Sequence, residues 1–506
     1  MSFRTFAARA GAAANVTSRG LPRSFNMVQQ GKVLSSSLGA RQVSDEATTI
    51  KPLPEDEPND VVFESKYGLR TMMLNRPQKL NSLNSSMIRK MVPRLVEWEK
   101  SDLANVVVLK GAGHKALCAG GDVAALAEMN QQNETGWMRS SAYFALEYKL
   151  DHYIATYNKP YIAFMDGITM GGGVGLSAHA PFRIATENTV FAMPETGIGF
   201  FPDVGASFFL PRMNGSIGTY LALTSAQLRG PNVFYAGIAT HYLHSTSLPD
   251  LEARLAELRF RDSDTLPERL ALINQTLEEF CTGLPHDQPI ELTGAVRQAI
   301  DRCFNRHTIT EIIAALKAEK GNSSTRGWAR QQLETLHKRS PTALHVALRQ
   351  MRIGGEWDIA ETFKREHQIA TKFMQHHDFT EGVSALLIRK NAPVWEPESL
   401  AAIGGTNVAK PFFEYDDDHP LHLFTDRTYK EYPHQELGVP TEKEVEKVLS
   451  QGTYTREELA NKIIASRNGR QGISEVVADI IDRKTVVNDK RKAVWMKDEV
   501  APGSRL

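Results

Sequence analysis

Two glycine-rich turns, each downstream of a short and wholly apolar run, constrain this chain more than any other feature. Val106-Val107-Val108-Leu109 precedes Ala119-Gly120-Gly121-Asp122, and Tyr161-Ile162-Ala163-Phe164 precedes Met170-Gly171-Gly172-Gly173-Val174-Gly175. An apolar run without alternation suits a strand covered on both faces. Such strands, spaced by helical periodicity, build right-handed βαβ units in an open sheet. An α/β fold is therefore expected. Val61-Val62-Phe63 and Thr71-Met72-Met73-Leu74 flank Lys66-Tyr67-Gly68, a hairpin signal. Met87, Met91, Leu95 and Trp98 recur at helical spacing from about Ser85, with Pro93 as an interruption.

Five stretches differ in texture. Residues 1–44 hold no Asp or Glu, while Arg4, Arg9, Arg19, Arg23, Lys32 and Arg41 are basic. A basic, Ser-rich, acid-free leader is expected to be a mitochondrial transit peptide, because a membrane potential draws cations inward. Residues 45–60 are expected to be a linker. Residues 61–230 form the α/β core, and residues 231–397 a helical region with a break at Gly354-Gly355. Residues 398–506 are an extension, irregular to Pro440 and then helical. Thr441 and Glu444 are placed to form a capping box there.

The glycine loops suit one chemistry. A thioester carbonyl under attack becomes an oxyanion, best met by preorganised backbone N–H groups. Glycine lets the backbone approach a ligand closely. A helix opening after each loop would add its N-terminal dipole. Taken alone, either loop is equally a point of tight packing. The second element is a pair of carboxylates, Glu195 and Asp203, on either side of Gly197-Ile198-Gly199-Phe200-Phe201-Pro202. Two acids among apolar residues can divide acid–base work, since desolvation raises their pKa values. Two loop carboxylates in ordinary hydrogen bonds would look the same. Glu147, within Tyr143-Phe144-Ala145-Leu146-Glu147-Tyr148, is a weaker third candidate.

Other features exclude functions. Formal net charge is +0, so no global basic field points to DNA. Cys118, Cys281 and Cys303 are too few for a disulfide framework. No apolar run is long enough to span a bilayer. Cys118 beside His114 reads as a small buried thiol rather than a nucleophile. Asp416 to His422 has metal-like residue types at a spacing that fits no defined site.

Several runs in order resemble one family. Lys115 to Asp122, Asp166 to Gly175, Met193 to Gly205, Gly237 to His241 and His377 to Val383 are similar to the crotonase (enoyl-CoA hydratase/isomerase) superfamily, in its 3-hydroxyisobutyryl-CoA hydrolase branch. The resemblance spans about Val61 to Pro397. It implies a ββα superhelix, an oxyanion hole from the Gly121 and Gly172 amides, and Glu195 and Asp203 as catalytic carboxylates. Glu147, Gly172, Glu195 and Asp203 would contact the acyl group. Lys115, Ala116, Leu117 and Ala119 would form a loop against CoA, with Leu117 where the family usually has Phe. CoA is part of the substrate, so neither cofactor nor metal is implied. Hydratases of the family carry a second Glu where Gly175 stands, which disfavours hydration. Enoyl-CoA isomerases with a Glu/Asp pair are the nearer enzymatic rival. Whether Glu195 attacks directly or activates water is left open, as is a homo-oligomer.

The extension brings a second class of function. Hydrolase-like fungal proteins with long extensions are similar to a component of the mitochondrial small ribosomal subunit. The resemblance thus implies a matrix enzyme of valine degradation, an assembly protein, or both.

Overall fold

The computed structural model describes residues 44–496 apart from 282, 286 and 417–419. The expected leader lies almost wholly outside the described residues. Ten strands fall into two sheets. β1 (Val61–Lys66), β2 (Leu69–Leu74), β3 (Val106–Gly111), β5 (Tyr161–Met165), β7 (Phe182–Ala185) and β10 (His241–Tyr242) form one sheet in the order β1-β2-β3-β5-β7-β10. β4 (Ala116–Cys118), β6 (Ile168–Met170), β8 (Val190–Ala192) and β9 (Leu228–Arg229) form the other, in the order β4-β6-β8-β9. β3/β4, β5/β6 and β7/β8 are successive pairs that send one strand to each sheet. The links β3–β5, β5–β7, β4–β6 and β6–β8 are all parallel. This is the repeating ββα architecture that the resemblance implies, where the residue pattern alone suggested βαβ units in one open sheet.

The apolar runs are two-faced for a plain reason. Val107 and Leu109 of β3 enter the main core, while Val106 and Val108 join a second core on the other side of the sheet. The helices Leu248–Ala256 and Leu266–Glu279 cover that second face with Leu251, Leu255, Ile273 and Leu277. The hairpin turn between β1 and β2 places Tyr67 at φ 51°, in the left-handed region, beside Gly68.

The structure departs from the sequence expectations at the linker and at Thr441, and it keeps the expected helix across Pro93. A short helix, α1 (Asp45–Thr49), lies inside the stretch expected to be a linker, with Ala47 buried. Pro93 does not break α2 (Ser85–Lys100). Asn84 caps that helix by accepting from the Met87 N–H, and buried Met87, Ile88, Met91, Val92 and Leu95 outweigh the bond that Pro93 cannot make. Thr441 caps Glu442–Ser450, but the Glu444 carboxylate turns to Arg467, 2.8 Å away, instead of closing a capping box.

The extension lies on the core. Residues 398–440 run with little regular structure, and Arg427 clamps Glu99 from α2 at 2.6 and 3.0 Å. Its helices Glu442–Ser450, Arg456–Ser466 and Ile473–Lys484 are followed by the hairpin β11 (Thr485–Val487) and β12 (Ala493–Trp495). Glu442 and Arg483 meet Arg297 of the helical region in a buried ion cluster.

Candidate active site

Each glycine loop ends as a helix begins. α3 (Val123–Gln132) opens two residues after Gly121, and Gly172 is the first residue of α5 (Gly172–Ala178). The first N–H groups of a helix have no intrahelical acceptor. Gly121 pairs with Leu83 through an isolated parallel bridge: the Leu83 N–H donates to Gly120 O and the Asp122 N–H donates to Leu83 O, each at 2.8 Å. Those bonds flank Gly121, so its own N–H faces away from Leu83. A Cβ built on Gly172 would stand 3.5 Å from the Gly121 nitrogen and 2.5 Å from Glu147 Oε1. A Cβ built on Gly171, which has φ 45°, would stand 3.3 Å from Glu195 Oε1. The Gly121 nitrogen and the Glu147 and Glu195 carboxyl oxygens therefore crowd the Gly171-Gly172 turn, where only glycine leaves room.

Glu195 opens a 3-10 turn, Glu195–Ile198, closed by Gly199 at φ 74°. The carboxyl is 4% exposed, and Oε2 has no hydrogen-bond partner among the described residues. Burial, and then the Asp203 carboxyl, pushes its pKa well above the usual carboxylate range. Asp203 sits eight residues on and is equally buried. Tyr148 donates to its Oδ2 at 2.6 Å, and burial raises its pKa to about 7 in spite of that bond. Phe200 supplies the apolar surround, with ring centroids 4.7–5.4 Å from Phe144, Phe201, Phe373 and Phe379.

α4 (Gly136–Ala155) brings up the third acid. Glu147 is 2% exposed, and burial followed by the nearby Asp203 raises its pKa well above the ordinary value. The sequence reading passed over other members of this group. Tyr143 lies under Gly121, where a Cβ would meet its hydroxyl at 2.8 Å. Asp151 is buried one turn beyond Glu147. The spacing Tyr143, Glu147, Asp151 marks one helix face and was available in the sequence. Glu366, from the helix Ile359–Gln375, accepts from the N–H groups of Gly205 and Ser207 at 2.6 and 2.8 Å. It thereby fixes the segment after Asp203, where Val204 and Gly205 have φ 55° and 87°. Nothing local in the sequence could have paired residues so far apart.

The remaining candidates are placed as follows. Lys115 to Ala119 is not a free loop: Ala116–Cys118 is β4, with Ala116 and Leu117 buried. Only Lys115 and Ala119 retain exposure at that edge. Cys118 is buried, and its thiol pKa is pushed up to about 12, which leaves it un-ionised and a poor nucleophile. Residues 417–419 of the Asp/His cluster lie outside the described residues, and no metal-holding cluster occurs among the described ones. The His377 to Val383 motif packs under the Glu195 turn. Cβ atoms on Gly199 and Gly382 would collide with the carbonyls of Asp378 and Ile198.

A family model described as enoyl-CoA hydratase/isomerase matches residues 69–412. The chain belongs to this enoyl-CoA hydratase/isomerase family. Within it, "3-hydroxyisobutyryl-CoA hydrolase, mitochondrial" of Danio rerio is 42% identical over 71% of this chain and 91% of its own length. "Small ribosomal subunit protein mS47" of Neurospora crassa is 55% identical over 98% of this chain and 99% of its own, extension included. Among solved structures, a carnitinyl-CoA dehydratase from Mycobacterium thermoresistibile matches with a TM-score of 0.62 and 32% identity. It covers 73% of this chain and all of that one. The enoyl-CoA hydratase/isomerase fold therefore accounts for the two sheets and the glycine turns, and the chain beyond residue 412 lies outside the family match.

Proposed function

We propose that this chain hydrolyses a small hydroxyacyl-CoA thioester, 3-hydroxyisobutyryl-CoA, in the mitochondrial matrix. One observation supports the reading: the Gly121 nitrogen and the Glu147 and Glu195 carboxyl oxygens crowd the positions where side chains on Gly171 and Gly172 would grow. In this reading the amides polarise the thioester C=O. The acyl carbon gains an oxygen, either from Glu195 itself or from a water that Glu195 deprotonates, and the C–S bond breaks to release CoA. Asp203 and Glu147 orient the acyl hydroxyl and carry protons. Lys115 and the backbone around Ala119 contact CoA. No cofactor is required, and DNA is not a partner. The 42% identity to the Danio rerio hydrolase supports this substrate over enoyl-CoA isomerisation. Release of free thiol from 3-hydroxyisobutyryl-CoA tests it. Glu195→Ala should lower turnover roughly 10²- to 10⁴-fold with an unchanged melting curve. Undiminished hydrolysis would remove Glu195 from the mechanism.

A second reading is favoured by the near full-length match to the Neurospora crassa protein. In it, the extension berths the chain on the mitochondrial small ribosomal subunit, with the active site kept. Sedimentation of tagged protein from mitochondrial lysate distinguishes the two. Co-migration of the full chain with small subunits supports the berth. Migration as a free monomer or homo-oligomer opposes it.

A further inference from the structure

Glu147 is not the only acid of α4 that faces the site. Asp151 follows one turn later and is 0% exposed. Neither of its oxygens has a hydrogen-bond partner among the described residues. A Cβ built on Gly175 would run into Asp151 Oδ2 and lie 2.8 Å from Val204 Cβ. The Asp151 carboxyl thus fills the volume into which a side chain at 175 would grow. Position 175 cannot supply an acid, but α4 delivers one to the same place.

The titratable groups around Asp151 come from every side. Glu147 lies on its own helix, Asp203 on the loop across from it, and Glu366 on the helix Ile359–Gln375. Tyr161 approaches from β5, with Tyr143 and Cys118 beyond. None of these is a cation. Leaving a buried carboxylate without a donor or counter-charge costs several kcal/mol, so two such neighbours do not both ionise and the pair keeps a proton. Burial, and then the Glu147 carboxyl, accordingly raises the Asp151 pKa well above its ordinary value. Two acids one turn apart in such a place titrate as a pair.

We propose that Asp151 is a positioning residue that acts through Glu147, the two carboxyls jointly retaining a proton that keeps Glu147 in its donor form. This rests on the thioesterase reading above. There, the C–S bond breaks and the CoA sulfur takes up one proton from Glu147. The proton that Glu195 takes from the water supplying the acyl oxygen passes on to the pair, so the cycle closes without a further reactant. Asp151 is not required to touch the substrate.

Asp151→Asn in the full-length protein is the test, with kcat and KM measured across pH. The amide keeps the shape and removes the ionisation. We expect kcat at neutral pH to fall about tenfold with KM within twofold, and the alkaline limb of kcat to move down by about one pH unit. In a Glu147→Gln background the same substitution should change kcat less than twofold, because the two act as a unit. Gly175→Ala, which displaces the Asp151 carboxyl without removing it, should shift the same limb in the same direction. A wild-type pH profile in both variants, or losses that multiply in the double variant, would overturn the proposal. Infrared spectroscopy separates this from failure of the thioesterase reading. A protonated-carboxyl band present in wild type and lost in Asp151→Asn is expected even if no thioester is cleaved, and its absence counts against Asp151 alone.

Discussion

Gly172 is surrounded so closely that its missing side chain is itself a functional feature. A methyl group there would press on Glu147 Oε1 and come within 3.3 Å of Leu83 Cδ2. Gly172→Ala should therefore displace the acid or the amide and lower kcat roughly 100-fold, since a misplacement near 1 Å has that effect. Steady-state thiol release checks it, and a variant within threefold of wild type would show that the site yields without loss. Tyr148 offers a pH test. Its hydroxyl donates to Asp203 and favours the anion, holding down a pKa that burial has raised to about 7. Removing that donor destabilises the anion, so the pKa rises further. In Tyr148→Phe the acid limb of kcat/KM should move to higher pH by about one unit, as loss of a hydrogen bond to a charged group implies. An unmoved limb would take Asp203 out of the rate law. Glu195, Asp203 and the glycines stand in motif runs that mark them as candidates, whereas Glu147 lies outside those runs and was only a weaker candidate. Asp151 was marked only by its helix-face spacing from Glu147, while the contacts of Tyr148 with Asp203 and of Glu366 with Gly205 join segments 55 and 161 positions apart that no local pattern pairs.

At the level of elements, apolar runs and caps gave reliable positions, and exceptions have local causes. Pro93 was outweighed by the buried face of α2. Lys115 to Ala119 had the small residues of a loop, yet Ala116 and Cys118 pair with β6. A three-residue strand carries too little pattern to be read alone. The expected capping box at Thr441 failed because Arg467 offers Glu444 a full charge in place of a backbone N–H. The same junction holds a second ionic group. Arg483 is 2.9 Å from Glu442 and 2.7 Å from Asp479, with its side chain only 6% exposed. Arg483→Ala takes the ion pair from Asp479 and leaves Glu442 with Arg297 and Lys484 alone. It should cost about 3 kcal/mol in denaturant unfolding. A loss under about 0.5 kcal/mol would mean that water replaces the guanidinium.

Across the whole molecule, the extension and the catalytic core are not independent. Arg427 binds Glu99 of α2, and its carbonyl accepts from His152 Nε2 at 2.9 Å on α4, the helix that bears Glu147 and Asp151. Tyr432 donates to Ala180 O at 2.7 Å, close behind α5. A chain ending at residue 397 would lose this support and expose the apolar surface now covered by Phe424, Leu421 and Val439. It should melt well below the full chain or fail to remain soluble, as thermal melting and size-exclusion chromatography would reveal. Equal melting temperatures would make the extension a separable appendage. The sequence by itself determined the α/β class, the two glycine turns and the acids at 195 and 203, because these depend on local pattern and on runs of fixed spacing. Only the tertiary structure decided that Glu147 and the Gly121 nitrogen crowd Gly172, that Asp151 occupies the space beside Gly175, and that the extension braces the site helix. Those facts depend on distances between segments remote in the chain, and burial turns such distances into protonation states that no residue type carries by itself.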